Sequence, residues 1–168
     1  MERLWAPWRL AFIEGADKAP DEGCIFCRFP AEERDRDRLI LGRSASSFVI
    51  LNKYPYNNGH LMVVPRRHAA DPGELPEDEF DDLQRTLRLS IRVIREAFGP
   101  DALNVGMNLG RAAGAGIADH LHWHIVPRWA GDVNFMPVLA ETRVIPEHLD
   151  ATWVKLRPAF DAALAFSG

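Results

Sequence analysis

At 168 residues and a net charge of −4, the chain is long enough for one domain with its own core, and it lacks the basic footprint of a duplex nucleic-acid binder. Hydrophobic residues make up 47% and charged residues 26%, an ordinary globular balance, and no apolar run approaches the roughly 20 residues a membrane span needs. The start, an acid and two arginines among Trp5 and Trp8, does not resemble a signal peptide, and two cysteines without an export signal point to a reducing compartment, the cytoplasm.

Residues 1–23 lack periodicity and read as an N-terminal arm of a single domain spanning 1–168, with 146–168 as a C-terminal extension. Glu32 to Arg38 alternates acids and arginines, as a solvated turn or helix end does. Leu39–Leu41 and Phe48–Leu51 are short apolar runs between polar residues, and both read as strands. Tyr54-Pro55-Tyr56-Asn57-Asn58-Gly59 is a turn by its chemistry, after which His60–Val64 resumes as a strand and stops at Pro65. Pro76 opens a long helix, Glu77, Asp78 and Glu79 suit its positive end, and Phe98-Gly99-Pro100 closes it. Phe80, Leu83, Leu87, Ile91, Ile94 and Phe98 give that helix one apolar stripe. A strand through Leu103–Leu109, a glycine-rich loop from Gly110 to Gly116 and a histidine-bearing strand follow. Glu147–Phe166 forms a second helix that Pro158 must kink or interrupt, and His148 at its start is a surface residue without a role. Strands joined by tight turns around one long helix make an α+β fold with a mostly antiparallel sheet.

His120-Leu121-His122-Trp123-His124 places three histidines at alternate positions. On an extended strand these imidazoles share one face, about 6–7 Å apart, while Leu121, Trp123 and Ile125 face the core. Such a row of nitrogens, about 13 Å long, can follow a polyphosphate. A strand's polar face ordinarily carries Thr, Lys or Glu, so the row points to chemistry.

The pattern His-apolar-His-apolar-His-apolar-apolar resembles the signature of the histidine triad (HIT) family of nucleotide hydrolases and transferases. Leu4-Trp5-Ala6-Pro7-Trp8-Arg9 and Pro127-Arg128-Trp129-Ala130-Gly131-Asp132-Val133-Asn134-Phe135 resemble the branch that contains diadenosine tetraphosphate phosphorylases. The resemblance implies a HIT-like sheet of about five strands with one long helix and a C-terminal helical segment, paired across a two-fold axis in a homodimer.

It also implies that His122 attacks phosphorus through an unprotonated nitrogen, so that a trapped nucleotidyl group passes to an acceptor. Imidazole suits this role because its pKa of about 6.5 leaves it mostly neutral at cellular pH. His124 then contacts the phosphate and helps protonate or position the leaving oxygen, His60 orients His122, and Asn52 reaches a ribose. Asn108 and the loop carrying Gly114 and Gly116 border the phosphates, because glycines let backbone N–H groups approach anions. Many family members have Gln or Ser where this chain has Gly116, so a side-chain phosphate contact is missing. The acceptor stays open: water makes a hydrolase, and inorganic phosphate makes a phosphorylase. A phosphorylase needs a second anion pocket, lined by Arg111, Arg128 or Trp129; the other reading makes Arg128 a surface ion pair and Trp129 a packing residue. Phosphoramidates or aminoacyl-adenylates are alternative substrates of the same triad, and a nucleotide-binding regulator with incidental turnover is the alternative of another class.

Cys24-Ile25-Phe26-Cys27 has three readings. A redox dithiol is expected beside a βαβ pattern, which is absent; a zinc half-site needs two further ligands; and the thiols can simply be free. The family resemblance supplies those ligands as His68 and His120. A metal held by His120, His122 and His124 together is disfavoured, because three alternate strand positions converge poorly and the cysteines would lose their partners. The zinc is then structural, tying the N-terminal segment to the catalytic strand, and Mg²⁺ enters only with the substrate.

Overall fold

The computed structural model describes residues 23–132 and 147–165, so the Trp-rich start and the stretch from Val133 to Pro146 lie outside the described residues. In chain order the elements are α1 (Ile25–Arg28), continued by a 3₁₀ turn Phe29–Ala31, β1 (Ile40–Arg43), β2 (Ser47–Leu51), β3 (Leu61–Pro65), α2 (Glu77–Phe98), β4 (Ala102–Gly106), β5 (Trp123–Arg128) and α3 (Leu149–Ala165). The strands form one sheet in the order β1-β2-β3-β5-β4, antiparallel at every pairing. This is the expected α+β architecture.

Strand alternation divides the apolar residues between two layers. Leu41, Val49, Leu51, Leu61, Val63 and Ile125 face a core closed by Leu83, Leu87 and Ile94 of α2 and by Leu156 and Phe160 of α3. Ile40, Phe48, Ile50, Met62 and Val64 face the other way, against Phe26 of α1. Each of these large side chains contributes about 1.5–3 kcal/mol by leaving water. The second layer is thin, and that is where the histidines lie.

The long helix follows its sequence signals closely. Pro76 is its N-cap, three acids occupy the first turn, and Gly99 (φ 55°) closes it in the left-handed conformation, its N–H bonded to the Arg95 carbonyl at 3.0 Å. Pro158 does not interrupt α3. Both Pro158 and Val154, whose carbonyl loses the bond, are exposed, so water can satisfy that oxygen. The segment 32–38 is more than a solvated turn. Arg38 pairs with Glu32, Arg36 with Asp150, and Asp35 with both Arg43 and Arg157, so the turn is fastened to β1 and α3.

A second fastening joins the β1–β2 turn to α2. Asp82 Oδ2 accepts from Ser44 Oγ (2.6 Å), Ser46 N (3.1 Å), Ser46 Oγ (3.0 Å) and Ser47 Oγ (3.0 Å). Burial opposes the charge, but these donors hold the carboxyl below its ordinary range. Asp82→Ala removes an acceptor that four groups share and is expected to cost about 2–3 kcal/mol in urea unfolding. An unchanged midpoint would show that water replaces the carboxylate freely. No helix among the described residues is long and apolar enough to cross a membrane.

Candidate active site and metal site

Register decides which histidines meet. Met62 lies opposite His124 and Leu61 opposite Ile125, so His60, two residues before Met62, shares its face and is the diagonal neighbour of His124. His60 Nε2 lies 3.0 Å from His124 Nδ1. The ring that His60 meets here is His124, which in turn lies against His122.

The triad strand departs from expectation. Regular pairing begins only at Trp123, because Leu121 N–H donates to the Ala69 carbonyl (2.7 Å) and the His120 carbonyl accepts from the His122 ring (2.8 Å). The His122 and His124 rings come within 4.8 Å, centroid to centroid, closer than extended spacing gives. Phe26 packs against both His120 and His122, at 5.4 and 5.2 Å. The rings run in series: His68, His120, Phe26, His122, His124 and His60, with Tyr56 stacked on His60 at 4.9 Å.

The tautomers follow from partners of fixed role. A carbonyl only accepts, so His122 carries its proton on Nδ1 and keeps a lone pair on Nε2. A backbone amide only donates, so Tyr56 N–H, 3.0 Å from His60 Nδ1, places the His60 proton on Nε2. That proton is donated to His124 Nδ1, leaving His124 with an Nε2–H. A nucleophilic lone pair and a hydrogen-bond donor thus stand on adjacent rings. Burial pushes His122 below its ordinary range against the pull of the His120 carbonyl, and burial with the charge of His122 pushes His124 down to about 4.

The depressed pKa of His124 has a sign for stability. The unfolded chain, with ordinary histidines, binds the extra proton first, so this contribution is complete above about pH 6.5 and is lost as pH falls towards 4. His124 alone should remove on the order of 2–3 kcal/mol between pH 7 and pH 4.5. Urea unfolding at the two pH values should show that loss, and the loss should shrink in His124→Gln. Equal losses in both proteins would contradict it.

Around this row the remaining candidates are placed unevenly. Asn52 approaches His60 Nδ1 through Nδ2 (3.4 Å) and caps the turn by accepting from Tyr54 N–H (2.9 Å), so it supports the site and the turn together. Asn108 is half-buried just past β4, whose Gly106 pairs with His124. Gly114 closes a short 3₁₀ turn over Arg111–Ala113, and Gly116 is exposed. Arg128 is committed elsewhere: it makes a bidentate pair with Asp132 (2.6 and 2.9 Å) and donates to Asn104 Oδ1 (3.0 Å). Trp129 is half-buried, and its backbone N–H also donates to Asp132. His148 is exposed, and its carbonyl accepts from Thr152 N–H in the first turn of α3. Sequence reading missed Phe26, the Tyr56 amide and the Pro65 carbonyl. Backbone groups carry no residue-type signal, although Phe26 lay in plain view between the cysteines.

Cys24, Cys27, His68 and His120 bring four ligand atoms within 4.8 Å of one another. His120 donates from Nε2 to the Pro65 carbonyl (2.8 Å), so its Nδ1 lone pair faces Cys24 Sγ (3.2 Å) and Cys27 Sγ (3.6 Å). His68 Nδ1 lies 3.4 Å from Cys27 Sγ. Two sulfurs, two imidazole nitrogens and a backbone carbonyl behind one ring suit tetrahedral zinc. Desolvation, then the hydrogen bond and charge of Cys24, raise Cys27 to about 11, so a cation is what would bring the Cys27 thiol to the thiolate form at neutral pH.

A family model of the HIT domain matches residues 33–131. An AP-4-A phosphorylase of Mycobacterium tuberculosis is 38% identical over 158 residues, covering 90% of this chain and 80% of that protein. An adenosine 5′-monophosphoramidase of Schizosaccharomyces pombe is 35% identical over 105 residues, covering 62% and 74%. A hypothetical histidine triad nucleotide-binding protein from Sulfolobus tokodaii superposes with a TM-score of 0.67 at 28% identity, covering 83% of this chain and 93% of its own. A Zn-bound histidine triad family protein from Mycobacterium smegmatis shares the fold, with a TM-score of 0.67 at 24% identity and coverage of 87% and 98%.

Proposed function

Because the chain belongs to the histidine triad family, we propose that it cleaves dinucleoside polyphosphates such as diadenosine tetraphosphate through a nucleotidyl group carried on His122. The observation that carries this reading is the bond from His122 Nδ1 to the His120 carbonyl, which leaves the Nε2 lone pair for phosphorus. His124 Nε2–H, held by His60, is the donor for phosphate or leaving-group oxygens. The second displacement, by an acceptor, frees His122 for the next cycle.

Inorganic phosphate is the favoured acceptor, on the strength of a phosphorylase relative that aligns over 90% of the chain. The engagement of Arg128 with Asp132 and Asn104 favours water as the second reading, because it takes one cation from any phosphate pocket. Product analysis with diadenosine tetraphosphate separates them. ADP and ATP formed only when phosphate is present mark a phosphorylase; AMP and ATP formed regardless mark a hydrolase. Nucleotide binding without any product would leave a regulatory module.

Cys24, Cys27, His68 and His120 would hold a structural zinc, whose contribution when bound is to fasten α1 to the segments after β3 and before β5. Mg²⁺ would accompany the substrate only. Reduced cysteines fit a cytoplasmic location. A homodimer is supported by the exposed edge strand β4, with Val105 41% exposed, and light scattering should return twice the chain mass.

A further inference from the structure

Cys24 and Cys27 are the chain's two cysteines, and the turn they share is suited to more than holding a metal. Cys27 N–H donates to the Cys24 carbonyl at 3.2 Å, which brings the two Cα atoms within about 7 Å, a span that a disulfide can bridge. The ligand atoms, both sulfurs among them, lie within 4.8 Å of one another. Access is uneven: Cys27 and His68 are exposed, Cys24 is half-buried and His120 is buried. A small oxidant arriving from solvent therefore meets Cys27 first, with Cys24 beside it to trap the product.

Two contacts tie this pair to the nucleophile. Phe26, between the cysteines in sequence and 1% exposed, packs its ring on His122 at 5.2 Å. His120 offers Nδ1 to the sulfurs, while its carbonyl holds His122 Nδ1 at 2.8 Å. A change at the sulfurs thus reaches His122 through one side chain and one backbone carbonyl.

Building on the structural-zinc and nucleotidyl-histidine readings, we infer that Cys24 and Cys27 form an oxidation site for peroxides, whose disulfide releases the metal and reversibly lowers turnover. Cys27 Sγ, as thiolate, attacks one peroxide oxygen; the O–O bond breaks and hydroxide leaves, giving a sulfenic acid. Cys24 Sγ then attacks the Cys27 sulfur, the S–O bond breaks and a second hydroxide leaves. The sulfurs lose two electrons, the peroxide gains them, and both hydroxides take up protons as water. Neither sulfur is then a thiolate ligand, and His68 and His120 alone make half of a tetrahedral zinc site. With α1 no longer tied to these histidines, Phe26 and the His120 carbonyl lose part of the support that orients His122.

The test exposes the zinc-loaded wild-type protein to a few equivalents of hydrogen peroxide. Released zinc, free thiols, intact mass and turnover of diadenosine tetraphosphate are then followed together. Thiols and zinc should be lost at the same rate, and the metal-free chain should weigh two hydrogens less. Turnover should fall roughly 10-fold or more, as a displaced nucleophile requires, and return with dithiothreitol and added zinc. Methionine oxidation, which dithiothreitol does not reverse, would show no such recovery. Thiols that survive the peroxide, oxygen added to them without a disulfide, zinc retained by the oxidised protein, or a disulfide that leaves turnover unchanged would overturn the inference. A chain purified without zinc removes the metal reading and the inference with it. A chain that holds zinc but never cleaves diadenosine tetraphosphate removes the nucleotidyl-histidine reading, and zinc release with disulfide formation then decides the oxidation site alone.

Discussion

Replacing His122 by alanine should lower kcat/KM for diadenosine tetraphosphate by about 10⁴-fold or more, because no neighbouring ring can take over as nucleophile. His124 presents an Nε2–H where attack needs a lone pair, and His60 Nε2 is committed to His124. His120 faces the thiols through Nδ1 and bonds the Pro65 carbonyl through Nε2. Substrate affinity should change only a few-fold, since His124, the proposed phosphate contact, and the surrounding loops remain. Losing a buried ring beside Phe26 should cost about 1–3 kcal/mol, which stays within the margin of a folded domain. Equilibrium binding of a non-cleavable analogue, measured beside turnover, separates the two effects. A variant that turned over at the wild-type rate would move the nucleophile elsewhere.

Removing the metal should have the largest effect on stability. The purified chain should carry about one zinc, and Cys24→Ser or Cys27→Ser should abolish it. The helix between these cysteines, α1, has four residues, far fewer than an isolated helix needs. Phe26 packs it against the sheet, with Ile25 and Phe29 partly buried beside it, and a metal on the four ligands would fasten it further. Loss of the metal should therefore cost on the order of 5 kcal/mol and lower Tm by more than about 10 °C. Phe26 contacts the His122 ring, so turnover should fall as well. A chelator-treated chain, shown to be metal-free, that melts at the original temperature would remove the site from this account.

Local pattern made much of this fold legible. The 3.6-residue stripe from Phe80 to Phe98 with Pro76 and Gly99 at its ends is α2 to within a residue, and the apolar runs became β1, β2 and β3 with ends shifted by a residue or two. The two cysteines and the alternating histidines were visible as chemistry. Their partners were not. Cys27 meets His68 and His120 across separations of 41 and 93 residues, which local spacing does not encode. The His60 contact depends on the β3–β5 register, where a one-residue slip would turn its ring to the opposite face. The irregular His120–His122 segment depends on the Ala69 carbonyl, a backbone atom that any residue would supply. The pairing of Arg128 with Asp132, four residues on, was within reach of spacing alone, whereas the use of Asp35 by both Arg43 and Arg157 required the packing of α3 on β1.

The central claim is a covalent nucleotidyl group on one particular ring nitrogen. Phosphoramidates tolerate base better than acid, so the most direct measurement is an alkaline quench of the protein during turnover of diadenosine tetraphosphate, followed by mass spectrometry of its peptides. The account predicts an adenylyl-sized increment on the peptide containing His122, absent from His122→Ala and discharged when acceptor is supplied. Product formation without any adduct under these conditions, or an adduct that persists in His122→Ala, would contradict it.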